Sequence, residues 1–268
     1  MRRLVKAALG QTLFTSRLHQ LLLKDAAVVV AFHRVFPVGA RRERPSGLTI
    51  DLDLFERYCR FFQRYFHVIP LQELVTRLER NQDLNRRLVI TFDDGYRDNF
   101  EHAAPILERC SLPATFFVVT QWMGTDVVPW WDRRHGRRYP WMTWDEVRSL
   151  HRRGFDIGAH TRTHADLGLV RDVTARREIQ GARIELEERL GAPVASFAYP
   201  YGGRHNLTEA NRELVKDAGY RCCCSVFGGI NGPGRSPFDV RRVAMSPWCT
   251  TPQQFGFEVL LGRTLQAA

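Results

Sequence analysis

The sequence predicts an α/β fold in which about seven parallel strands form a distorted, incomplete barrel. Short runs rich in β-branched and aromatic residues alternate with stretches of helical spacing along most of the chain. The length of 268 residues suits one α/β barrel, and 44% hydrophobic residues suffice for a sizeable core. No internal repeat and no linker rich in Gly, Ser or Pro divides the sequence. We therefore expect a single domain over residues 1–268.

Seven runs have the composition of buried strands, and helical spacing follows most of them. The predicted strands are Ala27–Phe32, Leu88–Phe92, Ala114–Val119, Phe155–Ala159, Ala195–Ala198, Tyr220–Ser225 and Val240–Ala244. The predicted helices are Leu52–Phe62, Leu71–Arg80, Ala103–Cys110, Thr143–Arg153, Val173–Leu190 and Glu209–Ala218. Strands that alternate with helices are typical of parallel β-α-β units. Seven of them favour an incomplete barrel over an open sheet.

Residues 1–24 predict an amphipathic N-terminal helix with several basic side chains. The uncharged stretch between Lys6 and Arg17 is polar in its middle, and no small-residue cleavage site follows, so an export signal is not favoured. One interpretation is a helix that packs on the barrel wall, and the other is a basic helix that lies on an anionic membrane surface. The longest strongly apolar run, Ala26–Phe32, is far shorter than the roughly 18 to 20 residues of a membrane-spanning helix.

The chain is basic, with 39 basic and 29 acidic residues and a formal charge of +10. Acidic residues are interspersed among the basic ones, as in Arg176–Arg189, so the sequence indicates no basic patch. A nucleic-acid partner is therefore not expected.

The six cysteines form no C-x-x-C pair and no zinc-knuckle spacing. Cys222, Cys223 and Cys224 fall in a predicted strand, where neighbouring thiols point to opposite faces. We expect reduced core thiols, which suit a reducing compartment. The predicted location is the cytoplasm, with peripheral contact at the inner face of the membrane as an extension of it.

The segment Val127–Trp144 holds four of the six tryptophans together with four arginines. It is predicted to be a long loop at the end of the barrel where the strands finish. Aromatic loops at this end often receive sugar rings, and the alternative is a tryptophan-rich loop that folds onto its own barrel.

The strongest chemical motif is Thr91-Phe92-Asp93-Asp94-Gly95-Tyr96, which directly follows an apolar strand. Adjacent carboxylates at a strand tip repel each other unless a cation or water offsets their charge. A metal ion is one solution, and a solvated turn that caps a helix is the other.

A second motif, His160-Thr161-Arg162-Thr163-His164, follows another apolar strand. Histidines at positions i and i+4 share a face if the chain turns helically. Together with Asp94 they supply two imidazoles and one carboxylate, a set that leaves coordination positions open for water and substrate. The alternative for the pair alone is an accidental surface arrangement.

Two weaker signals lie at other strand ends. The loop Tyr199-Pro200-Tyr201-Gly202-Gly203 is rigid enough to aim backbone N–H groups into a cleft, as an oxyanion hole requires, but it also has the composition of an ordinary turn. His33 follows the first predicted strand, where a lone histidine usually has a structural role.

These motifs, in this order, resemble those of the polysaccharide deacetylases, carbohydrate esterase family 4, over Val28–Val243. The resemblance implies a distorted β/α barrel, a divalent metal ion, expected to be zinc, and hydrolysis of acetyl groups. It implies that Asp93 is the general base and that Asp94, His160 and His164 bind the metal. It also implies that the backbone N–H of Tyr201 binds the oxyanion.

The sequence departs from the family pattern in two places. The family's third motif reads R-x-P-Y-G, and Ala198 stands where the Arg is expected, so Arg241 and Arg242 become candidates for orienting the base. The family's late catalytic histidine is also absent, because no histidine follows His205. The chain is similar in this respect to the circularly permuted poly-N-acetylglucosamine deacetylases, which implies a permuted barrel with His33 as the general acid.

The sequence thus predicts a metal-dependent hydrolase that removes an N-acetyl group from an amino sugar in a polysaccharide or glycan precursor. Within the same fold the alternative is an O-acetyl esterase or another amide hydrolase. Two histidines and one carboxylate also describe non-haem iron oxygenases, but such an enzyme needs no extra base such as Asp93. A catalytically silent sugar-binding module is favoured by the missing Arg and disfavoured by the intact ligand set.

Overall fold

The main sheet is curled into half of a barrel, and all its paired strands run parallel. The computed structural model describes residues 2–37 and 47–261. The strands are β1 (Ala27–Phe32), β2 (Arg34–Phe36), β3 (Thr49–Asp51), β4 (His67–Val68), β5 (Arg87–Phe92), β6 (Thr115–Val118), β7 (Asp156–Ala159), β8 (Ser196–Ala198), β9 (Cys222–Cys224) and β10 (Val243–Ala244). Seven strands follow the order β10-β1-β5-β6-β7-β8-β9, β4 pairs with β5 beside this path, and β2 and β3 form a small separate sheet.

Helices connect most of the strands of the sheet. They are α1 (Arg2–Thr15), α2 (Leu18–Leu22), α3 (Leu52–Tyr65), α4 (Leu71–Glu79), α5 (Ala104–Arg109), α6 (Trp130–Arg133), α7 (Trp144–Arg152), α8 (Asp172–Leu190), α9 (Glu209–Asp217) and α10 (Pro252–Leu261). A π-helical turn, Asn99–Ala103, leads into α5. No helix in the part of the chain that the structure describes is long and apolar enough to cross a membrane.

The strands divide their side chains between two apolar cores. Val28 and Val30 of β1 face a large core that α3 and most other helices share, whereas Ala27 and Val29 face a smaller core filled from α4. All six residues of β1 are buried, as expected for a parallel strand covered on both faces. Alternation along each strand therefore fixes which side chains reach the interior of the half-barrel.

The predicted strands and helices are all present, with ends displaced by a few residues. The structure also contains β2, β3, β4 and α10, which the sequence pattern did not predict. The three strands contain two or three residues each, which is too short for a periodic pattern. The long loop predicted over Val127–Trp144 also contains the single turn of α6.

The N-terminal segment is two helices, so the prediction of one helix over residues 1–24 is wrong. The chain breaks at Arg17, whose φ of 64° is left-handed. The hydroxyl groups of Thr15 and Ser16 bond back to carbonyl oxygens of α1 and compete with the main-chain ladder. The inner face of α1 packs on the barrel, where the Phe14 ring lies 4.8 Å from that of Phe61 in α3.

All six cysteines are free thiols. Cys222 and Cys224 belong to the smaller core and Cys223 to the larger one, which confirms that neighbouring thiols point to opposite faces. The expectation that all six are core residues is wrong, because Cys110 and Cys249 are only half-buried.

Candidate active site

Six of the residues predicted to carry chemistry line one cleft at the carboxyl ends of the strands. The cleft has a volume of about 420 Å³. Its lining residues are His33, Leu48, Asp93, Asp94, Trp130, Trp131, His160, His164, Tyr201, Val226 and Ala244. Parallel strands bring their carboxyl ends to one edge of the sheet, which is why motifs far apart in sequence meet here.

The two catalytic candidates on β1 and β5 are neighbours because of strand register. Phe32 of β1 pairs with Phe92 of β5, so His33 and Asp93 occupy adjacent strand tips. The N–H of Asp93 donates to the carbonyl oxygen of Phe32 at 2.9 Å and extends the ladder to this point. His33 is half-buried, and its buried Nδ1 makes no hydrogen bond with any residue that the structure describes.

Asp94 and Gly95 form the tight turn that follows β5. Their φ angles of 74° and 87° are both left-handed. The left-handed backbone angle favours glycine at this position, and a Cβ atom on Gly95 would also displace the end of the Met123 side chain, 2.7 Å away. The turn holds Asp94, one of the few residue types other than glycine that tolerate this angle, with its carboxylate in the cleft.

Asp94, His160 and His164 converge on a common point. Asp94 Oδ1 lies 3.4 Å from Nε2 of His160 and 3.3 Å from Nε2 of His164, yet this buried oxygen forms no hydrogen bond in the described chain. Ligands held at 2.0 to 2.1 Å around a tetrahedral ion lie about 3.3 Å apart. The three residues therefore have the spacing of ligands to one divalent metal ion.

The hydrogen bonds and protonation of the histidines also suit metal binding. Nδ1 of His160 lies 2.8 Å from the carbonyl oxygen of Ala198, a contact that fixes the ring and leaves Nε2 free as a ligand. Burial lowers the pKa of His164 by more than the charge of Asp94 raises it. His164 is accordingly in the neutral form that a metal ligand requires.

The loop that carries both histidines is not helical, so the reason given for their proximity is wrong. Thr161 and His164 have left-handed φ angles of 63° and 59°, and the two imidazole rings still lie 5.0 Å apart between centroids. Glu178 of α8 holds this loop in place. Its buried carboxylate accepts from the N–H groups of Arg162 and Thr163 and from the Thr163 hydroxyl, each at 2.9 Å.

Arg242 supplies the cation beside Asp93. Its two terminal nitrogens donate to the two carboxylate oxygens of Asp93 at 2.6 and 2.8 Å, and both side chains are buried. Ser225 and Thr91 accept two further bonds from the guanidinium. Arg241, the other candidate, instead lies near Asp239.

The ion pair decides the protonation state of Asp93. Burial raises the pKa of this carboxyl, but the charge and hydrogen bonds of Arg242 outweigh burial and hold the pKa below its usual range. Asp93 is therefore ionised at neutral pH and able to accept a proton.

Tyr201 also lines the cleft. Its φ is 61°, and its backbone N–H has no hydrogen-bond partner in the described chain. The Tyr201 ring lies 4.9 Å from that of His164. An unpaired N–H in this position is available to a ligand in the cleft.

The tryptophan-rich segment both folds onto the barrel and lines the cleft. Tyr96 anchors it, since its hydroxyl donates to Asp132 at 2.8 Å and its ring stacks on Trp141 at 4.4 Å. Trp131 packs against His164 at 5.0 Å, whereas Trp130 is 58% exposed at the rim.

The roles of Glu178 and Asp132 in supporting the cleft were not predicted from the sequence. Glu178 lies in a helix of many alternating charges, and nothing local distinguishes it from its neighbours. Asp132 lies beside two tryptophans, which was the one available signal.

Comparison with known proteins agrees with the geometry of the cleft. The family model described as polysaccharide deacetylase matches residues 80–223. The chain belongs to the polysaccharide deacetylase family. As a member of this family it is a hydrolase that removes acetyl groups from polysaccharide. His33 and Arg242 both lie outside the matched span.

Individual relatives of this deacetylase are distant. A Bacillus subtilis protein named as a polysaccharide deacetylase, YxkH, is 24% identical over 204 residues, covering 75% of this chain and 67% of its own. The structure of IcaB from Ammonifex degensii is 23% identical with a TM-score of 0.72, covering 87% of this chain and 96% of that one. A de-N-acetylase from Aggregatibacter actinomycetemcomitans is 20% identical with a TM-score of 0.73, covering 87% of this chain and 100% of that one. These structures share the fold of this deacetylase.

Proposed function

We propose that this deacetylase is a metal-dependent hydrolase that removes N-acetyl groups from an amino sugar in a polysaccharide or glycan precursor. The observation that carries the proposal is the cleft in which Asp94, His160 and His164 converge beside the ionised Asp93. In this proposal the three converging residues hold one divalent ion, and their nitrogen and oxygen donors suit zinc. When bound, such an ion polarises the acetyl carbonyl and makes water a better nucleophile.

In the proposed reaction Asp93 takes a proton from the attacking water. A general base must be ionised and fixed in direction, and the paired bonds from Arg242 meet both requirements. In this proposal Arg242 orients the base, the role expected of the third-motif Arg, whose position Ala198 occupies in this chain. The N–H of Tyr201 is proposed to bind the oxygen that becomes negative as water adds to the acetyl carbon.

His33 is proposed to donate a proton to the departing amine. Amines leave poorly without a proton, and His33 is adjacent to Asp93 across the β1–β5 pair. We also propose that the barrel is circularly permuted. β1, which carries His33, lies between the last strand, β10, and β5, and it precedes the span that matches the family model. In this proposal His33, which follows β1, takes the place of the catalytic histidine that the usual family pattern supplies from a late segment.

An O-acetyl esterase is the nearest alternative. An ester releases a better leaving group than an amide does, so it depends less on an acid such as His33. The presence of both a base and an acid candidate in one cleft favours the amide. The Aggregatibacter protein with the same fold is named a de-N-acetylase, which supports the same choice.

The test is release of acetate from N-acetylglucosamine oligomers, lipid-linked saccharides, peptidoglycan fragments and O-acetylated glycans, with metal content measured on the same sample. We expect acetate from at least one N-acetylated substrate and about one divalent ion per chain. His164→Ala should lose metal and activity together. Release from O-acetylated glycans alone, O2-dependent turnover, or full metal occupancy in His164→Ala would contradict the proposal.

A further inference from the structure

The outward face of α1 carries no charged side chain after the first turn. From Leu4 to Thr15 the exposed residues are Leu4, Val5, Ala8, Leu9, Gln11, Thr12 and Thr15. Leu4 is 77% exposed and Val5 51% exposed. The exposed face of a surface helix in a globular protein is normally rich in charged and polar residues. The first half of this face is instead aliphatic.

The short helix α2 extends the exposed aliphatic surface. Leu18, Leu21 and Leu22 are 47%, 73% and 43% exposed. We call the exposed aliphatic side chains of both helices the N-terminal apolar surface. It comprises Leu4, Val5, Leu9, Leu18, Leu21 and Leu22.

The inner face of α1 fixes this surface outward. A Cβ atom on Gly10 would clash with the carbonyl oxygen of Gln253, so the helix approaches α10 through glycine. Lys6 forms an ion pair with Glu258 of α10, and Phe14 is buried. Rotating α1 to hide its leucines would break all three contacts.

The segment that carries the N-terminal apolar surface is basic. Residues 2–24 include five basic side chains and no acidic one. Just beyond α1, a cleft of about 530 Å³ is lined by Arg17, Arg64 and Arg86 among other residues. None of these three arginines pairs with a carboxylate in the described chain. Guanidinium groups are well suited to binding phosphate.

We propose that the N-terminal apolar surface docks on a lipid bilayer that contains anionic phospholipid. Its aliphatic side chains would enter the boundary between head groups and acyl chains, and the arginines would contact lipid phosphate. A second copy of this chain fits less well, because a symmetric contact would bring together two basic segments that contain no acidic residue. The bilayer satisfies the apolar and the basic groups together. This inference does not depend on the proposed acetyl hydrolysis.

The test is co-sedimentation of the full-length protein with vesicles. We expect binding to mixed phosphatidylcholine and phosphatidylglycerol vesicles, weaker binding to phosphatidylcholine alone, and loss of the difference as salt is raised. Leu4→Glu combined with Leu9→Glu should lower the vesicle partition coefficient by at least about tenfold. Val173→Glu is the matched control, because Val173 is 82% exposed on α8, away from this surface. The control should bind as the unchanged protein does.

Two further measurements show whether the variants keep the native fold. Circular dichroism establishes that the variants are folded, and their deacetylase activity on a soluble substrate should be unchanged. Binding that is absent, or that Leu4→Glu with Leu9→Glu leaves intact, overturns the proposal. A dimer in light scattering that the double variant converts to a monomer also overturns it, since a second copy would then cover the surface.

Discussion

Asp93 and Arg242 form a buried ion pair that affects both the proposed reaction and the stability of the fold. Removing one partner of a buried pair leaves the other charge uncompensated, a change that typically costs about 3 to 5 kcal/mol. A variant at this position must therefore be examined for stability as well as turnover.

We expect Asp93→Asn to retain metal and lose most of its turnover. The amide cannot accept a proton from water, and a positioned base contributes about 10² to 10⁴ in rate. The measurements are metal content, the unfolding midpoint and kcat for acetate release. The midpoint should fall, because Arg242 becomes an unpaired buried charge. A kcat near that of the unchanged protein would assign the base to another residue.

His33→Ala should separate an acid from a structural residue. If His33 protonates the leaving amine, its loss should lower kcat on an N-acetyl substrate far more than on an aryl acetate, whose phenolate leaves without a proton. A histidine that only packs beneath the rim would lower both rates equally. Parallel rate measurements on the two substrates decide between these roles, and equal losses would leave the acid unassigned.

At the scale of single elements, α8 positions the loop of the two proposed metal-binding histidines through one carboxylate. Glu178 accepts three hydrogen bonds from residues between His160 and His164, and two positions of that loop have left-handed backbone angles. Such a loop needs external support to keep its shape. The support comes from Glu178, which lies 14 positions beyond His164 in the sequence.

Glu178→Gln should weaken metal binding while the protein stays folded. The variant keeps one acceptor oxygen but replaces the other with an amide group that cannot accept, and loss of such outer contacts typically costs about 10- to 100-fold in metal affinity. Glu188→Gln, at an exposed position of the same helix, is the control. Titration with zinc measures both affinities, and excess metal should restore kcat in Glu178→Gln. Unchanged metal affinity would limit Glu178 to a role in folding.

At the scale of the whole molecule, the elements that could be predicted are those whose residues lie close together in the sequence. The strand β5 with its Asp-Asp-Gly turn and the strand β7 with its histidines are continuous segments, so composition and spacing identified them. The partner of Asp93 lies 149 positions away, and tertiary contacts such as the pairing of β10 with β1 bring Arg242 to the site. The missing third-motif Arg made Arg241 and Arg242 candidates, and the direction of the side chains in the structure selects Arg242.

The break between α1 and α2 was not predictable for a related reason. Residues 1–24 contain no proline, and their one glycine lies within α1, away from the break. The break rests on competition from short hydroxyl side chains and on burial of His19, which stacks on Phe14 at 4.5 Å between ring centroids. Tertiary packing of this kind overrides helix propensity without leaving a local signal.

The buried His19 predicts how stability depends on pH. Burial lowers the pKa of His19, the contact with the Leu13 carbonyl oxygen opposes this, and the charge of Arg86 lowers the pKa further. In the unfolded chain His19 takes up a proton as the pH falls through about 6.5, and in the folded protein it does so only at lower pH. Below about pH 6.5 the unfolded state therefore binds more protons, so the free energy of unfolding falls as the pH falls.

His19→Gln should remove part of this dependence. Urea unfolding at several pH values between 5 and 7.5 measures the slope, and we expect the slope of the variant to be shallower than that of the unchanged protein. His135→Gln, at an exposed position, removes a histidine without removing a buried one and should leave the slope unchanged. His19→Gln also loses the ring stacked on Phe14, so its free energy of unfolding at pH 7.5 should be lower even though its pH slope is smaller. Parallel curves for His19→Gln and the unchanged protein would mean that His19 titrates alike in the folded and unfolded chain, and the pH dependence would then arise from other buried groups.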